Sequence, residues 1–200
     1  MIADLTAADT AEVFARRSAP TDALATDAQT VARACHAMAQ RFHRGGRLLA
    51  FGAGSAAADA AHVVVEFVHP VIMGKRALPA VNLAGDPAAM SALTERHGTD
   101  ESFAAQVYLQ GQPADIALGF SVDGRNAAVL RGLEQARDTG LLTVALLGGH
   151  GGKIAEMPGL DHAITVHSDD PLVVREMHVT AYHVLWELVH VFLDHPGVLT

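Results

Sequence analysis

The stretch RLLAFGAGS at residues 47–55 decides the fold of this chain. It begins with a short apolar run that ends in a glycine turn, and a helical pattern starts at Ser55. A continuous apolar run is typical of a strand that is buried on both faces of a parallel sheet. The stretch therefore predicts a strand at 47–53, a tight turn, and a helix at 55–68.

The same alternation continues along the chain. Apolar runs predict further strands at 79–84, 115–121, 141–147 and 162–167. Helical spacing of apolar residues predicts helices at 7–17, 25–43, 87–95, 100–110, 126–139 and 172–194. Strands that alternate with helices indicate an α/β fold, with a five-stranded, mainly parallel sheet flanked by helices. We expect an N-terminal helical extension at 1–44, which makes oligomer contacts, and one main domain at 45–200.

The composition argues against several classes of partner. The chain has 200 residues, 50% of them hydrophobic, and a formal net charge of −8. Nucleic acid is not expected as a partner, because no large basic cluster is present to neutralise phosphates. No apolar stretch is long enough to span a membrane, and the first twenty residues do not resemble a signal peptide. The single cysteine, Cys35, precludes an internal disulfide, and we expect a cytoplasmic protein.

The glycine turn after the first strand is a candidate ligand site. Gly52, Gly54 and Ser55 lie at the carboxyl end of that strand, where sheets of this kind bind ligands. Backbone N–H groups at the start of the next helix favour an anion. A tight turn without a ligand is the alternative. A nicotinamide dinucleotide is not favoured, because Ala57 stands where that motif has its third glycine.

Two side chains on the following helix are candidates for chemistry. His62 and Glu66 are four residues apart and therefore share one helix face. This spacing suits two ligands of one metal ion, or an acid–base pair. A surface ion pair has the same spacing and remains an alternative.

The turn after the third strand and the last helix add further candidates. In the turn, Asn126 is suited to cap the next helix, Arg125 to reach an anion, and Asp123 to repel one. The last helix is largely apolar, so we expect His178 and His190 to be core residues rather than ligands.

Taken in order, these motifs resemble the phosphoheptose isomerases of the sugar isomerase (SIS) family. The glycine turn is followed by the pattern D-x-x-H-x-x-x-E, formed by Asp59, His62 and Glu66. The other matching segments are LPAVNLAGD (78–86), GQPADIALGFS (111–121), ALLGGHGGK (145–153), SDD (168–170) and REMHVTAYHVLWEL (175–188). The resemblance covers nearly the whole chain and implies a single SIS domain.

The resemblance also implies a function and a set of site residues. The family interconverts sedoheptulose 7-phosphate and a heptose 7-phosphate, as a homotetramer with active sites between subunits. Its catalytic pair matches Glu66 and His183, and the zinc ligands of some members match His62, Glu66 and His183. A further zinc ligand, a glutamine, is Arg175 here. The loops and the resemblance together give these substrate-binding candidates: Gly52, Gly54, Ser55, Asp86, Ser121, Asp123, Gly124, Arg125, Asn126 and Arg175.

Several phosphate-holding positions of the family are changed in this chain. Ala56 stands in place of a phosphate-binding serine, and Val122, Asp123 and Asn126 stand in place of hydroxyl-bearing residues. A charge-assisted hydrogen bond is worth about 1.5–3 kcal/mol. We therefore expect this chain to bind a phosphate group weakly.

Besides phosphoheptose isomerase activity itself, two hypotheses follow for the function. The first is a metal-assisted aldose–ketose isomerase, or a related enzyme, that acts on a sugar-like substrate and binds one zinc ion per subunit. In it, Glu66 would move a proton between carbons and His183 a proton at oxygen, although both side chains are also candidate zinc ligands. The second is a non-catalytic sugar-ligand sensor or scaffold protein of the same fold.

Overall fold

The computed structural model describes residues 7–199. The helices in that range are α1 (Ala7–Ala15), α2 (Ser18–Thr26), α3 (Ala28–His43), α4 (Ala56–Val68), α5 (Pro87–His97), α6 (Ser102–Gln110), α7 (Ala127–Thr139), α8 (Gly152–Ala155) and α9 (Pro171–Leu193). The strands are β1 (Leu48–Gly52), β2 (Ala80–Asn82), β3 (Ile116–Ser121), β4 (Leu142–Gly148) and β5 (His162–Val166). Short 3-10 helices occur at Thr99–Glu101 and Pro196–Val198. Residues 1–6, the start of the predicted extension, lie outside the described residues.

The five strands form one sheet in the order β2-β1-β3-β4-β5, and every neighbouring pair is parallel. In β1, β3 and β4 every residue is buried, as expected for strands covered on both faces. The predicted α/β fold with a five-stranded parallel sheet flanked by helices is confirmed.

Alternate residues of β1 serve two different cores. Leu48 and Ala50 pack in a core with residues of α3, α4 and α9 on one face of the sheet. Leu49 and Phe51 pack in a second core with residues of α6 and α7 on the other face. This division follows from the two-residue period of a strand. The sheet is therefore a central layer that fixes α4 and α9 on the same side.

Part of the predicted N-terminal extension belongs to the main core. Val31, Cys35, Met38 and Phe42 are spaced along one face of α3 and are buried against the sheet and α9. By contrast, α1 buries none of its residues. Residues 28–43 therefore share the core of the main domain. The oligomer contacts expected of the extension stay a prediction.

Two helices were missed by the sequence pattern, and their composition explains why. The prediction of one helix at 25–43 is wrong at its start, because a separate helix, α2, precedes α3. α2 contains Pro20, which is tolerated there because it lies in the first turn, where backbone N–H groups have no helical partner. α8 has only four residues, two of which are the glycine and lysine of the GGHGGK stretch.

The longest helix, α9, starts sharply. Asp170 accepts a hydrogen bond from the backbone N–H of Leu172, and Pro171 occupies the first turn. One face of α9, including Val174, Ala181 and Leu185, is buried. Within residues 7–199, no helix combines the length and the apolar character needed to cross a membrane.

The order of the strands places a ligand site at a particular point. After β1 the chain goes to β2 on one side, and it then returns to add β3 on the other side of β1. In such sheets the loops after the two strands at this reversal diverge and leave a crevice at their carboxyl ends. The loops at 53–55 and 121–126 follow these two strands.

Candidate active site

Three ionisable side chains converge on the surface between α4 and α9. The Nε2 atom of His62 lies 3.1 Å from Oε1 of Glu66, and Nε2 of His183 lies 3.9 Å from the same oxygen. The two helices pack through buried residues such as Ala60 and Leu185, and this contact holds the cluster together. The side chain of Glu66 is only 12% exposed, whereas both imidazoles are nearly half exposed. The structure thus brings together the three residues proposed from the sequence as a metal site.

The geometry of this cluster fits a zinc ion. The candidate ligand atoms of His62, Glu66 and His183 all lie within 4.8 Å of one another. Zinc bound at about 2.0–2.2 Å in a tetrahedron separates its ligands by roughly 3.3–3.6 Å, which the observed distances bracket. Both histidines approach Oε1 of Glu66. Within residues 7–199, Oε2 makes no hydrogen bond and remains free for another task.

A buried tyrosine lies behind the two histidines. The Tyr182 hydroxyl is 2.5 Å from Nδ1 of His62, and its ring meets the rings of His62 and His183 edge-on. Burial raises the pKa of Tyr182, with help from the negative charges of Asp59 and Glu66, so the hydroxyl keeps its proton at neutral pH. The sequence pattern gave no reason to select this residue, because it lies on the apolar face of α9.

Arg175 is paired with Asp59. Its Nε and Nη2 atoms donate hydrogen bonds of 3.0 and 3.1 Å to the two carboxylate oxygens of Asp59. The side chain of Asp59 is 4% exposed and that of Arg175 is 32% exposed. This two-pronged hydrogen bonding raises the pKa of Arg175. Its role in substrate binding stays a prediction, because the contacts of the guanidinium are to Asp59.

A cavity of about 600 Å³ opens at the carboxyl ends of β1, β3, β4 and β5. Of the substrate-binding candidates, Gly54, Ser55, Ser121, Asp123, Arg125 and Asn126 line it. Its other lining residues include His150 and Asp169, which lie in the GGHGGK and SDD segments. The cavity is therefore placed where the reversal of strand order leaves a crevice.

In the turn after β3, hydrogen-bond donors of the turn are bound by the carboxylate of Asp123, which belongs to the same turn. Oδ1 of Asp123 accepts hydrogen bonds from the backbone N–H of Arg125 at 2.9 Å and from the hydroxyl of Ser121 at 3.3 Å. Asn126 caps α7 as expected, since its side chain accepts from the backbone N–H of Val129. Two donors that could serve an anion in the cavity are thus engaged by Asp123.

Close backbone packing explains the glycine of this turn. Gly124 has φ +66°, and a Cβ atom on it would lie 1.9 Å from the carbonyl oxygen of Gly151. The carbonyl of Gly124 also accepts a hydrogen bond from the N–H of Ile154. Gly124 therefore joins the loops after β3 and β4, a supporting role rather than one in the lining of the cavity.

Two further candidates occupy structural positions. The Asp86 side chain caps α5 by accepting hydrogen bonds from the N–H groups of Ala88 and Ala89. A Cβ atom on Gly52 would lie 2.6 Å from the carbonyl oxygen of Ala56, so glycine permits the turn into α4. Neither residue is among the described residues that line the cavity.

The two histidines expected in the core are buried there. Nδ1 of His190 lies 2.8 Å from the backbone carbonyl oxygen of Trp186, and Nε2 lies 2.9 Å from that of Arg76. His178 packs edge-on against Phe120, and burial lowers its pKa. Neither nitrogen of His178 has a hydrogen-bond partner of good geometry among the described residues, although the backbone of Leu147 lies close enough to oppose the lowering of its pKa.

Comparison with known proteins identifies the family. The sequence model of the SIS domain matches residues 15–148. A phosphoheptose isomerase of Solidesulfovibrio magneticus is 39% identical over 166 residues, which cover 83% of this chain and 80% of the relative. A phosphoheptose isomerase of Helicobacter pylori is 30% identical over 186 residues, covering 93% and 96%. The structure of a phosphoheptose isomerase from Francisella tularensis superposes with a TM-score of 0.85 at 28% identity, covering 93% of this chain and 99% of that one.

The chain therefore belongs to the SIS domain family. Within that family it is similar to the phosphoheptose isomerases along most of its length, which confirms the resemblance inferred from the motifs. These relatives support an isomerase and do not favour the hypothesis of a non-catalytic sensor or scaffold.

Removing Arg175 is expected to destabilise the fold more than removing its partner Asp59. Arg175→Ala leaves the Asp59 carboxylate buried without a partner, whereas Asp59→Ala leaves a guanidinium that reaches water. We expect Arg175→Ala to lower the free energy of unfolding by about 3 kcal/mol, the lower end for a buried pair, because Arg175 is partly exposed. Asp59→Ala should cost less. Urea denaturation at a fixed protein concentration measures both.

A matched control pair has its carboxylate on the same helix, α9. Arg17 makes an equally two-pronged pair with Glu176, with N–O distances of 2.8 Å, but the side chain of Glu176 is 47% exposed. Arg17→Ala should change the free energy of unfolding little, because surface pairs are screened by water. Equal losses for Arg17→Ala and Arg175→Ala would contradict a special role for the buried pair.

Proposed function

We propose that the protein is a metal-assisted aldose–ketose isomerase that acts on a sugar phosphate or a related polyhydroxy substrate. The observation that carries the proposal is the convergence of His62, Glu66 and His183 between α4 and α9. The similarity to phosphoheptose isomerases supports the same reaction class.

His62, Glu66 and His183 are the residues that would hold the metal, and zinc suits their nitrogen and oxygen atoms. Bound there, zinc would polarise a substrate carbonyl as a Lewis acid. Three protein ligands leave the fourth position open, which is typical of catalytic rather than structural zinc sites. Arg175 contributes no ligand, because a guanidinium cannot coordinate a metal and this one is turned to Asp59.

Glu66 is placed to move the proton between carbons. Its Oε2 atom is free, so the carboxylate can take a proton from the carbon next to the carbonyl and return it to the former carbonyl carbon. His183 is the group that can move the proton at the oxygen when its Nε2 atom is not a ligand. The side chain of Glu66 is only 12% exposed, so little of its carboxylate faces bulk water, although the two imidazoles beside it are nearly half exposed.

The distance between cluster and cavity indicates an extended substrate. His62 lies seven residues beyond Ser55 along α4, which corresponds to about 10 Å of helix. The reacting end of the sugar would lie at the cluster and the far end in the cavity. A chain of several carbon atoms is needed to reach both.

The surface of α4 and α9 and the cysteine bear on assembly and location. We propose a homotetramer, as the family resemblance implies, because apolar residues such as Val65, Val184 and Val191 lie exposed near the cluster on α4 and α9. We also propose a cytoplasmic location, which suits a chain with one buried, unpaired cysteine.

The zinc content tests the metal site. Protein purified without chelator is expected to hold close to one zinc ion per chain, as measured by elemental analysis. His62→Ala and His183→Ala should abolish binding with unchanged circular dichroism, because each removes one of three ligands. His69→Ala, at the exposed end of α4, is the matched control and should bind normally. If the wild type stays metal-free after zinc is supplied, Glu66 and His183 act as a plain acid–base pair.

The turn after β3 makes a prediction about phosphate. Sedoheptulose 7-phosphate should bind weakly or react slowly, because Asp123 already occupies two donors and adds a negative charge. A variant with Ala56→Ser, Val122→Thr and Asp123→Ser should lower KM, as measured by an isomerase assay. Glu66→Gln is the control that ties the activity to this site and should abolish it. Wild-type turnover as efficient as that of an ordinary family member would show that the turn binds phosphate after all.

Light scattering tests the assembly. At micromolar concentration the protein should have the mass of a tetramer, because the exposed apolar residues beside the cluster are then covered. A monomeric mass would refute the proposed assembly and would leave the active site open on one side.

A further inference from the structure

We propose that Tyr182 is a positioning residue, which fixes the ring of His62 so that its Nε2 atom faces Glu66 and the metal position. The part of this inference that concerns metal binding rests on the proposed function. The hydrogen bond that carries it joins the Tyr182 hydroxyl to Nδ1 of His62 at 2.5 Å.

The tyrosine is itself held rigidly. Tyr182 is fully buried, and its ring packs edge-on against Phe120 of β3 at a centroid distance of 6.1 Å. On its other sides it contacts the imidazoles of His62 at 5.4 Å and His183 at 5.0 Å. Burial of the ring against Phe120 restricts where its hydroxyl can lie, so the hydroxyl is a defined partner for His62.

The helix explains why one residue can contact both histidines. Tyr182 and His183 are consecutive on α9, so their side chains point about 100° apart. His183 is therefore directed outward to the cluster, while Tyr182 is directed inward, beneath the rim of α4. Tyr182, the neighbour of His183 in sequence, therefore reaches Nδ1 of His62, the ring nitrogen that faces away from Glu66.

The two sides of His62 make complementary demands. A carboxylate only accepts hydrogen bonds, so Oε1 of Glu66 requires the proton of a neutral His62 on Nε2. Nδ1 then has a lone pair, and the Tyr182 hydroxyl donates to it. When Nε2 binds a metal, the ring proton must be on Nδ1, and the Tyr182 oxygen accepts from it.

A hydroxyl serves both states because it both donates and accepts. A backbone carbonyl or a carboxylate in the same place would serve only the second. Tyr182 therefore holds the ring in one orientation before and after the metal binds. Outer contacts of this kind typically change metal affinity by about 10–100-fold when they are removed.

The test is Tyr182→Phe, which removes one oxygen atom and keeps the packed ring. Tyr108→Phe is the matched control, because Tyr108 is the other tyrosine of the chain and is 72% exposed. Two properties are measured for each protein. Nitrogen-15 NMR of the histidine rings reports the tautomer of His62 without metal, and competition with a chelator gives the zinc dissociation constant.

We expect Tyr182→Phe to weaken zinc binding by about 10–100-fold with one site retained, and to shift the Nδ1 resonance of His62 in the metal-free protein. Tyr108→Phe should change neither. A Tyr182→Phe variant with wild-type affinity and an unchanged His62 spectrum overturns the inference.

The two arms separate this inference from the proposed function. If no protein binds zinc, the metal proposal fails, and the His62 spectrum of Tyr182→Phe alone decides whether Tyr182 positions the ring. If Tyr182→Phe does not fold, the NMR spectrum of His62 in the metal-free wild type tests the inference instead. A metal-free His62 with its proton on Nε2 supports the assignment, and a rapidly averaged ring contradicts it.

Discussion

The pairing of Asp59 with Arg175 is the interaction on which the arrangement of the site depends. A carboxylate buried as deeply as that of Asp59 needs a charged partner, because water does not reach it. The partner lies on another helix, so the pair links the start of α4 to the start of α9. Both helices leave the carboxyl edge of the same sheet and run in the same direction across one face.

The pair therefore sets the register of the two helices. On α4, His62 and Glu66 follow Asp59 by three and seven residues, and on α9 Tyr182 and His183 follow Arg175 by seven and eight. At 1.5 Å per residue, both groups lie within about 5–12 Å of the pair along their helices. A slip of one turn would separate His183 from Glu66. Arg175, through its pair with Asp59, thus aligns the three candidate metal ligands.

The sequence predicted the parts of this site that follow a period. The spacing of His62 and Glu66 placed them on one face, and the apolar runs placed the strands whose loops form the cavity. It did not predict α2, because a proline obscured its helical pattern, or the depth at which Asp59 is buried. Tyr182 was not selected, since a tyrosine among valines and leucines fits a core pattern. Contacts between distant segments, such as those of Arg175 and Tyr182, leave no periodic trace in the sequence.

The turn after β3 combines a fixed backbone with a carboxylate. The glycine at 124, the cap at Asn126 and the contact with the loop after β4 hold the turn in place. Within this turn the carboxylate of Asp123 accepts the N–H of Arg125 and the hydroxyl of Ser121. An incoming dianion must displace it or share donors with it, while a hydroxyl group of a sugar could donate to it. Arg125, whose side chain lines the same cavity, is the remaining cationic group of the turn. If the proposed substrate binds in this cavity, the opposite charges of Asp123 and Arg125 there, rather than the cluster of His62, Glu66 and His183, would select the charge of its far end.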